Sequence, residues 1–585
     1  MERNNKKLMS GNEAIAWGAH DYGVQVASAY PGTPSTEILE NIANFDDVYA
    51  EWAPNEKVAL EVAIGASLGG VRALASMKHV GLNVAADPFF TASYIGVNGG
   101  LVIISADDPG MHSSQNEQDN RHYALAAKVP MLEPADSQEA YEFIGEALEI
   151  SEQFDTPVLL RVTTRVSHSK GVVERKAKRV KNLKEAGFVK NPTKYVMVPN
   201  FARQRHDFVE QRMDRLREFS EETPLNRIEW GRREVGMVTS NVAYQYAREA
   251  RPRASFLKLG LSHPLPENLI REFADGVKKL FVVEELDPYL EDQIKALGIP
   301  VLGKERFPIC GELSPDLVKQ GLSRKRSKKA AAGPPSIPPR PPALCPGCPH
   351  SASFYTMKKL KLNVMGDIGC YTLSVAPPLE TMDSTLCMGA SIGMAHGMDK
   401  ALGADPESRS VAVLGDSTFL HSGVTALMNI AYNRGNSTTV VLDNRTTAMT
   451  GFQEHAATGR TLKGVETPEV DFEALGKALG IDSVRTVDPY ELKGLEKALK
   501  EEVEAPHSSL IIARRECLLL KRERKTPKTV DPEKCVACNM CLLTGCPALS
   551  RTSDNKAQID SVICNGCPIC QQICKLDAIS DLSQD

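Results

Sequence analysis

The chain has 585 residues, 42% of them hydrophobic and 24% charged, with a formal net charge of -5. At roughly 150 residues per domain this length holds about four domains, and the composition excludes a mostly disordered, collagen-like or coiled-coil chain. The mildly acidic balance leaves no global basic field for nucleic acid, and no apolar run reaches the roughly 18 residues of a membrane span. The opening Met1-Glu-Arg-Asn-Asn-Lys-Lys7 leads on without an apolar signal core, so a cytoplasmic chain is expected.

In chain order, residues 1–190 alternate short apolar strands with small-residue helices, the pattern of a wound α/β domain. A strand is expected over 24–30, running into the turn-rich Tyr30-Pro-Gly-Thr33-Pro-Ser-Thr36. A buried Ala- and Gly-rich helix is expected over 55–70, and a strand over 101–105 leads into a polar loop over 106–120. Residues 191–230 are dense in Arg and Glu and read as a connecting segment with some helix. Short strands at 235–238, 256–259 and 280–284 define a second, smaller α/β domain over 231–320. Residues 321–343 mark the clearest boundary, with a basic run from Ser323 to Lys329 and a stiff proline-rich stretch after Gly333. No aromatic residue interleaves with the basic run, so it reads as a solvated linker. A third α/β domain follows over 344–525, and a cysteine-rich tail over 526–585.

Eight of the fourteen cysteines lie between Cys535 and Cys574. A reducing cytosol argues against disulfides, so such a concentration points to metal. The first run is Cys535-x2-Cys538-x2-Cys541-x4-Cys546, and the second is Cys564-x2-Cys567-x2-Cys570-x3-Cys574. Two-residue gaps let three thiolates wrap one iron–sulfur cluster, while the fourth of each run reaches the other cluster. One [4Fe–4S] centre is thus assigned to Cys535, Cys538, Cys541 and Cys574, and the other to Cys564, Cys567, Cys570 and Cys546. Structural zinc is the alternative, disfavoured by eight cysteines in a double pattern without histidine. The tail resembles the bacterial two-cluster ferredoxin domain, which implies electron transfer. It departs in the first run, where four residues rather than three precede Cys546.

In the third domain, a strand at 411–415 ends in Gly415-Asp416, a helix is expected over 421–434, and the next strand, 438–442, ends at Asp443-Asn444. This is one βαβ unit, so Asp416 and Asn444 fall at the carboxyl ends of neighbouring parallel strands, where open α/β sheets bind ligands. Mg²⁺ wants hard oxygens in octahedral geometry. Asp416 offers a carboxylate, Asn444 a side-chain carbonyl and Thr446 a backbone carbonyl, and the helix start after Gly415 adds amide donors for a diphosphate. A capping Asp in an ordinary strand–turn–helix is the bland alternative. The stretch Gly415-Asp416-Ser417 through Asp443-Asn444-Arg-Thr446 to Gly451 resembles the diphosphate-binding motif of thiamine diphosphate enzymes, with Ser417 where Gly is frequent.

That cofactor needs a carboxylate on its aminopyrimidine ring. The stretch Asn55-Glu56 through Glu61 to Gly65-Ala-Ser67 resembles the glutamate-bearing helix of such enzymes. Glu56 is the first choice by its nine-residue distance to Gly65, Glu61 the second, and a helix-start glutamate on the dipole the alternative. The loop at Thr33 resembles the substrate-side loop of 2-oxoacid:ferredoxin oxidoreductases, and the resemblance implies that Thr33 approaches the substrate carboxylate. Lys78 or His79, in the polar stretch after a strand, could face substrate or cofactor. Pyruvate-using relatives carry a carboxylate-binding Arg after a strand where this chain reads Ser105-Ala-Asp107-Asp108. Carboxylate recognition must differ here, which argues for a substrate other than pyruvate.

Cys345, Cys348, Cys370 and Cys517 resemble the cysteines that hold a further cluster near the cofactor in pyruvate:ferredoxin oxidoreductases. The alternative is four structural thiols, as expected for Cys310 and Cys387. Taken in order along the chain, these motifs resemble the α subunits of the indolepyruvate:ferredoxin oxidoreductase family. The resemblance implies a multidomain α/β fold. In it, 1–190 is a pyrimidine-side and 344–525 a diphosphate-side thiamine-binding doubly wound domain. Residues 231–320 form a transketolase C-terminal-like domain, and 526–585 a ferredoxin-like α+β domain. It implies thiamine diphosphate, Mg²⁺ and at least two [4Fe–4S] clusters. It also implies oxidative decarboxylation of an aryl pyruvate, with coenzyme A taking the acyl group and ferredoxin the electrons. The expected partner is a smaller β subunit in a heterotetramer. Two other readings remain: a non-oxidative thiamine decarboxylase, and an electron-transfer subunit with a degenerate thiamine fold.

Overall fold

The structure, a computed structural model, describes residues 5–175, 180, 186–323, 342–403, 410–521 and 525–583. It divides into two compact units, Met1–Pro334 and Pro335–Asp585. Of the linker expected at 321–343, residues 324–341 lie outside the described residues.

The first unit is built on a seven-stranded sheet. Its order is Leu261–His263, Met131–Leu132, Val158–Thr163, Leu101–Asp107, Ala73–Lys78, Val26–Ala29, Tyr49–Trp52. All neighbours run parallel except the edge pair of Leu261–His263 with Met131–Leu132. The three strands at its centre are buried on both faces along their length, as parallel strands covered by helices must be. One consequence matters for chemistry: the loops after Ala29, Lys78 and Asp107 leave the sheet at the same edge.

A second, four-stranded sheet centres on Arg232–Ser240, with Ala254–Leu259 and Leu280–Val283 parallel to it and Asn226–Glu229 antiparallel on the rim. Between the two sheets the chain carries more helix than its charge pattern suggests. Pro199–Glu222 is one helix of 24 residues. Val209, Met213, Leu216 and Ser220 recur at helical spacing and are buried, which makes one apolar stripe inside a charged sequence. Arg212 lies on that stripe, donating to the carbonyls of Ser93 at 2.8 Å and Lys128 at 3.1 Å. A buried guanidinium spent on carbonyls cannot be told from a solvated one by composition.

A buried ion network joins these parts. Arg161 donates to Asp107 at 2.7 Å and to Glu133 at 2.5 Å, and Arg121 to Asp119 at 2.9 Å and Glu284 at 2.6 Å. Burial pushes the Asp119 carboxyl up, but Arg121 and then Arg161 outweigh it and hold it well below the usual carboxylate range. Arg161→Met leaves Asp107 and Glu133 buried without their partner. Removing one member of a buried pair costs about 3–5 kcal/mol, so a clear drop in unfolding temperature is expected by calorimetry. An unchanged transition would show that the network contributes little.

The second unit holds a five-stranded, fully parallel sheet ordered Asn363–Met365, Ser410–Gly415, Thr438–Asp443, Ser509–Arg514, Ser483–Val487. Helix begins at Asp416, five residues before the expected start, and runs to Tyr432 with one wide π turn at Phe419–Gly423. In the tail, Lys528–Val530 pairs with Ile579–Asp581 and Leu549–Arg551 with Ala557–Ile559. The tail helix Ile569–Ile573 packs by Ile569 and Ile573 on Ala352, Tyr490 and Leu492.

Candidate active site

In the first unit the sheet edge gathers three loops. Glu56 is the first residue of the helix Glu56–Leu68, whose start is capped by Asn55 accepting from the Val58 amide at 3.0 Å. Glu56 itself is 5% exposed. It lies on Gly81 so closely that a Cβ there would sit 2.7 Å from Glu56 Oε1, so a residue with any side chain at 81 would displace it. Glu61 points out from the same helix and pairs with Lys57. Of the two glutamates, the helix therefore buries Glu56.

Lys78 ends the strand Ala73–Lys78 and is also buried. Its ammonium donates to the carbonyl of Ser113 at 2.6 Å, and Ser113 Oγ donates to the carbonyl of Thr33 at 3.4 Å. Gly32 lies flat against the Lys78 stem, 3.1 Å separating a Cβ built there from Lys78 Cβ. Asp108 holds the far side, accepting from the Ser113 amide at 2.9 Å, Ser114 Oγ at 2.6 Å and Thr164 Oγ1 at 2.7 Å. His79 faces Asn116 at 3.0 Å. Thr33, Lys78 and Asp108 thus share one polar wall.

In the second unit Asp416 is buried at the end of its strand. Its Oδ1 accepts from the Ser417 amide at 2.8 Å and its Oδ2 from the Arg445 amide at 2.7 Å. His455 Nδ1 accepts from the Ala457 amide at 3.3 Å, which leaves the proton on Nε2, 3.3 Å from Asp416 Oδ2. Asn444 directs Nδ2 at His350 Nε2, 3.4 Å away, and Oδ1 at the Thr446 amide, 3.3 Å away. Burial brings His350 down to about 4, against the pull of Asp416, so the ring is neutral. Thr447 Oγ1 donates to Ser417 Oγ at 3.0 Å, and Gly415 passes under the Tyr371 ring. Asp443 is raised by burial and then by Asp416, and its Oδ1 is buried without a hydrogen bond. The Asp416 carboxylate and the Asn444 amide oxygen are hard donors that suit a divalent cation, while Asp443 is held by Arg514 Nε at 2.7 Å.

The thiols fall into three groups. Cys535, Cys538, Cys541 and Cys574 line one cavity of ≈ 1090 Å³. The Cys541 thiol is pushed up by burial and then by Cys538, Cys574 and Cys535. Cys570 is pushed up by burial, then by Cys567, Cys546 and Cys564. Each fourth cysteine therefore lies with the other run. The longer gap before Cys546 is spanned by a 3₁₀ turn, Met540–Thr544, closed by Gly545 at φ 67°. Amides of Lys528 and Gly566 point at Cys564 Sγ, 3.4 and 3.5 Å away, and that of Ala578 at Cys574 Sγ at 3.3 Å, the donors that stabilise thiolate charge.

The third group is Cys345, Cys348, Cys370 and Cys517. Cys348 is raised by burial, then by Cys345, Cys370 and Cys517, and burial with Cys517 and Cys345 puts Cys370 at about 11. Four thiols from three stretches of the chain, each within the electrostatic reach of the others, are a fitting set for a cluster. This group adjoins Asn444 on one side and the second cysteine run on the other. The Cys517 amide donates to the carbonyl of Asn444 at 3.0 Å. Gly347, at φ 74°, lies where a Cβ would stand 3.4 Å from Cys567 Sγ. Its carbonyl accepts from Tyr490 Oη at 2.5 Å, and Pro346's from Asn565 Nδ2 at 2.6 Å. Cys387 and Cys310 are exposed.

Sequence reasoning gave no role to His350, although it quoted the motif that ends there, and none to His455. A histidine after a Pro could have been flagged at His350. His455 carries no local signal, since only the fold returns it to Asp416.

Residues 17–222 match the family described as pyruvate flavodoxin/ferredoxin oxidoreductase, thiamine diP-bdg. Residues 367–513 match the C-terminal TPP binding domain of thiamine pyrophosphate enzymes. The first match ends on the last residue of the long helix, and the second holds Asp416 and Asn444. Fold and site thus define a thiamine diphosphate-dependent oxidoreductase of the ferredoxin-coupled class. Three relatives resemble the chain over nearly its whole length, each named indolepyruvate oxidoreductase subunit IorA. That of Archaeoglobus fulgidus is 39% identical, covering 98% of this chain and 97% of its own. That of Methanothermobacter thermautotrophicus is 42% identical, with 98% and 97% covered. That of Pyrococcus horikoshii is 40% identical, with 99% and 97% covered. The chain belongs to the family of indolepyruvate:ferredoxin oxidoreductase α subunits. Among the described residues no helix is long and apolar enough to cross a membrane.

Proposed function

We propose that this chain, with a smaller β subunit in a cytoplasmic heterotetramer, oxidatively decarboxylates aryl pyruvates, indole-3-pyruvate and also phenylpyruvate, to aryl-acetyl-CoA. The balance is one 2-oxo acid and one coenzyme A giving CO₂, the thioester and a proton, with two electrons leaving singly to ferredoxin. The observation that carries the reading is the run of thiol groups outward from Asn444. Cys517 adjoins Asn444, Gly347 between Cys345 and Cys348 adjoins Cys567, and Cys541 lies beside Cys570. A non-oxidative decarboxylase has no use for such a run.

Thiamine diphosphate, when bound, supplies an electron sink for the carbanion left by loss of CO₂. The chain's own residues do the rest. Glu56 would hydrogen-bond the aminopyrimidine ring nitrogen and share a proton with it, which favours the ring's imino form. Asp416, Asn444 and the Thr446 carbonyl hold Mg²⁺, with Gly415 and Ser417 at the diphosphate. Thr33 meets the substrate carboxylate. Cys535, Cys538, Cys541 and Cys574 hold one [4Fe–4S] cluster, Cys564, Cys567, Cys570 and Cys546 a second, and Cys345, Cys348, Cys370 and Cys517 a third.

The test is anaerobic. The chain is co-expressed with its small subunit and mixed with indolepyruvate, coenzyme A and oxidised ferredoxin, and ferredoxin bleaching is followed. Bleaching that requires both indolepyruvate and coenzyme A is expected. Aldehyde without bleaching would replace this reading with a decarboxylase, and full activity of the single chain would remove the β subunit from it. Three clusters require about twelve irons per chain and two require about eight. Cys348→Ser is expected to lower the count by about four, and an unchanged count would remove the third cluster.

A further inference from the structure

We propose that Lys78 is the anchor for the carboxylate of the 2-oxo acid substrate, replacing the arginine that pyruvate-using relatives place after a strand. The proposal rests on the thiamine-dependent reading above and adds the group that recognises the acid.

Place is the first argument. Lys78 is the last residue of a central parallel strand, at the edge where such sheets bind ligands. It packs against Gly32 and shares Ser113 with Thr33, so its ammonium stands beside the loop that carries the substrate-side threonine. Glu56 lies one short turn away, over Gly81, and its charge reaches Lys78.

Elimination is the second argument. Among the described residues, the arginines near these strand ends and His168 already have acidic partners. Arg121 and Arg161 face inward to Asp119, Glu284, Asp107 and Glu133. Arg165 grips both oxygens of Glu312, at 2.8 and 2.6 Å, and His168 faces Glu37 at 3.7 Å. Among the described residues Lys78 makes one hydrogen bond, to a carbonyl, and an ammonium has three donors. Asp108, the nearest acid in sequence to the missing arginine, spends its oxygens on Ser113, Ser114 and Thr164.

Energetics point the same way. Burial pulls Lys78 down to about 8, against the upward pull of Asp108 and Glu56. A desolvated ammonium short of partners gains from an incoming carboxylate what a solvated surface lysine does not. A lysine is also a point charge on a flexible stem, which tolerates a bulky group beyond the acid better than a planar guanidinium fork does.

The test uses the α–β holoenzyme under argon and two ligands that lack the 2-oxo group, indole-3-propionate and its primary amide. Calorimetry is expected to give the acid about 10- to 100-fold tighter binding than the amide, the range of a hydrogen bond to a charged group. Lys78→Met is expected to erase that preference with thiamine diphosphate content and iron count unchanged, and Lys78→Arg to keep part of it. Loss of thiamine diphosphate from both variants would assign Lys78 to the cofactor and overturn the anchor. A preference kept in Lys78→Met would overturn the anchor alone. A wild-type enzyme that binds neither ligand would overturn the aryl-acid reading itself.

Discussion

Asp416→Ala is expected to abolish binding of thiamine diphosphate and Mg²⁺ while leaving the brown iron–sulfur absorbance intact. The carboxylate stands at the end of the strand Ser410–Gly415, with both oxygens oriented by the Ser417 and Arg445 amides. Orientation of that kind fixes a ligand before the metal arrives and spares the cost of ordering it on binding. Alanine removes the charge and both acceptors together. The thiols of the tail sit on their own hairpins and turns, so their clusters should assemble unchanged. A graded comparison sharpens the expectation. His455 touches only the far oxygen of Asp416, and loss of such an outer partner weakens metal binding by about 10- to 100-fold. His455→Ala should therefore still bind cofactor at high Mg²⁺, where Asp416→Ala does not. Cofactor content after desalting, read as thiochrome fluorescence against a Mg²⁺ titration, decides it. Thiamine diphosphate retained by Asp416→Ala would place the metal on other residues.

Different parts of this molecule were legible in the sequence to different degrees, and the reason is the distance over which each signal acts. The thiol pattern is local: each run holds three cysteines within seven residues, and the spacing alone states how they fold round a centre. Asp416 and Asn444 were legible because a strand's apolar run announces its own carboxyl end. The earlier helix start at Asp416 was not, since Asp416-Ser-Thr-Phe carries no apolar repeat and is held by burial of Phe419 against Phe472.

What stayed hidden depends on contacts between distant residues. Arg121 meets Glu284 across 163 positions and Arg161 meets Glu133 across 28. No period or spacing encodes that pairing, and composition counts these residues as surface charge. The helix Pro199–Glu222 was masked in the same way, because Arg212 reads as solvent-facing until Ser93 and Lys128 are brought to it. Lys78 was noticed as a polar residue after a strand. Its value as a cation followed only once the fold had assigned partners to the arginines around it.

Glu56→Gln is expected to lower kcat for indolepyruvate-dependent ferredoxin reduction by about 10²- to 10⁴-fold, the range for loss of a general acid–base group. The amide keeps the shape and the contact with Gly81, so packing is preserved and the change falls on proton exchange. A glutamine amide has no acidic proton to share with the ring nitrogen. Binding of thiamine diphosphate is expected to stay within a few-fold of wild type, because the diphosphate grip is proposed for Asp416 and Asn444. That split between retained cofactor and lost turnover is what separates a proton-transfer role from a structural one. The parallel variant Glu61→Gln tests the choice between the two glutamates. Glu61 lies on the outward side of the helix, paired with Lys57 at the surface, where exposed pairs contribute under about 1 kcal/mol. Its loss should leave turnover and stability close to wild type. Should Glu61→Gln fall in rate and Glu56→Gln keep it, the cofactor's carboxylate would be Glu61, and the burial of Glu56 would be a matter of packing alone.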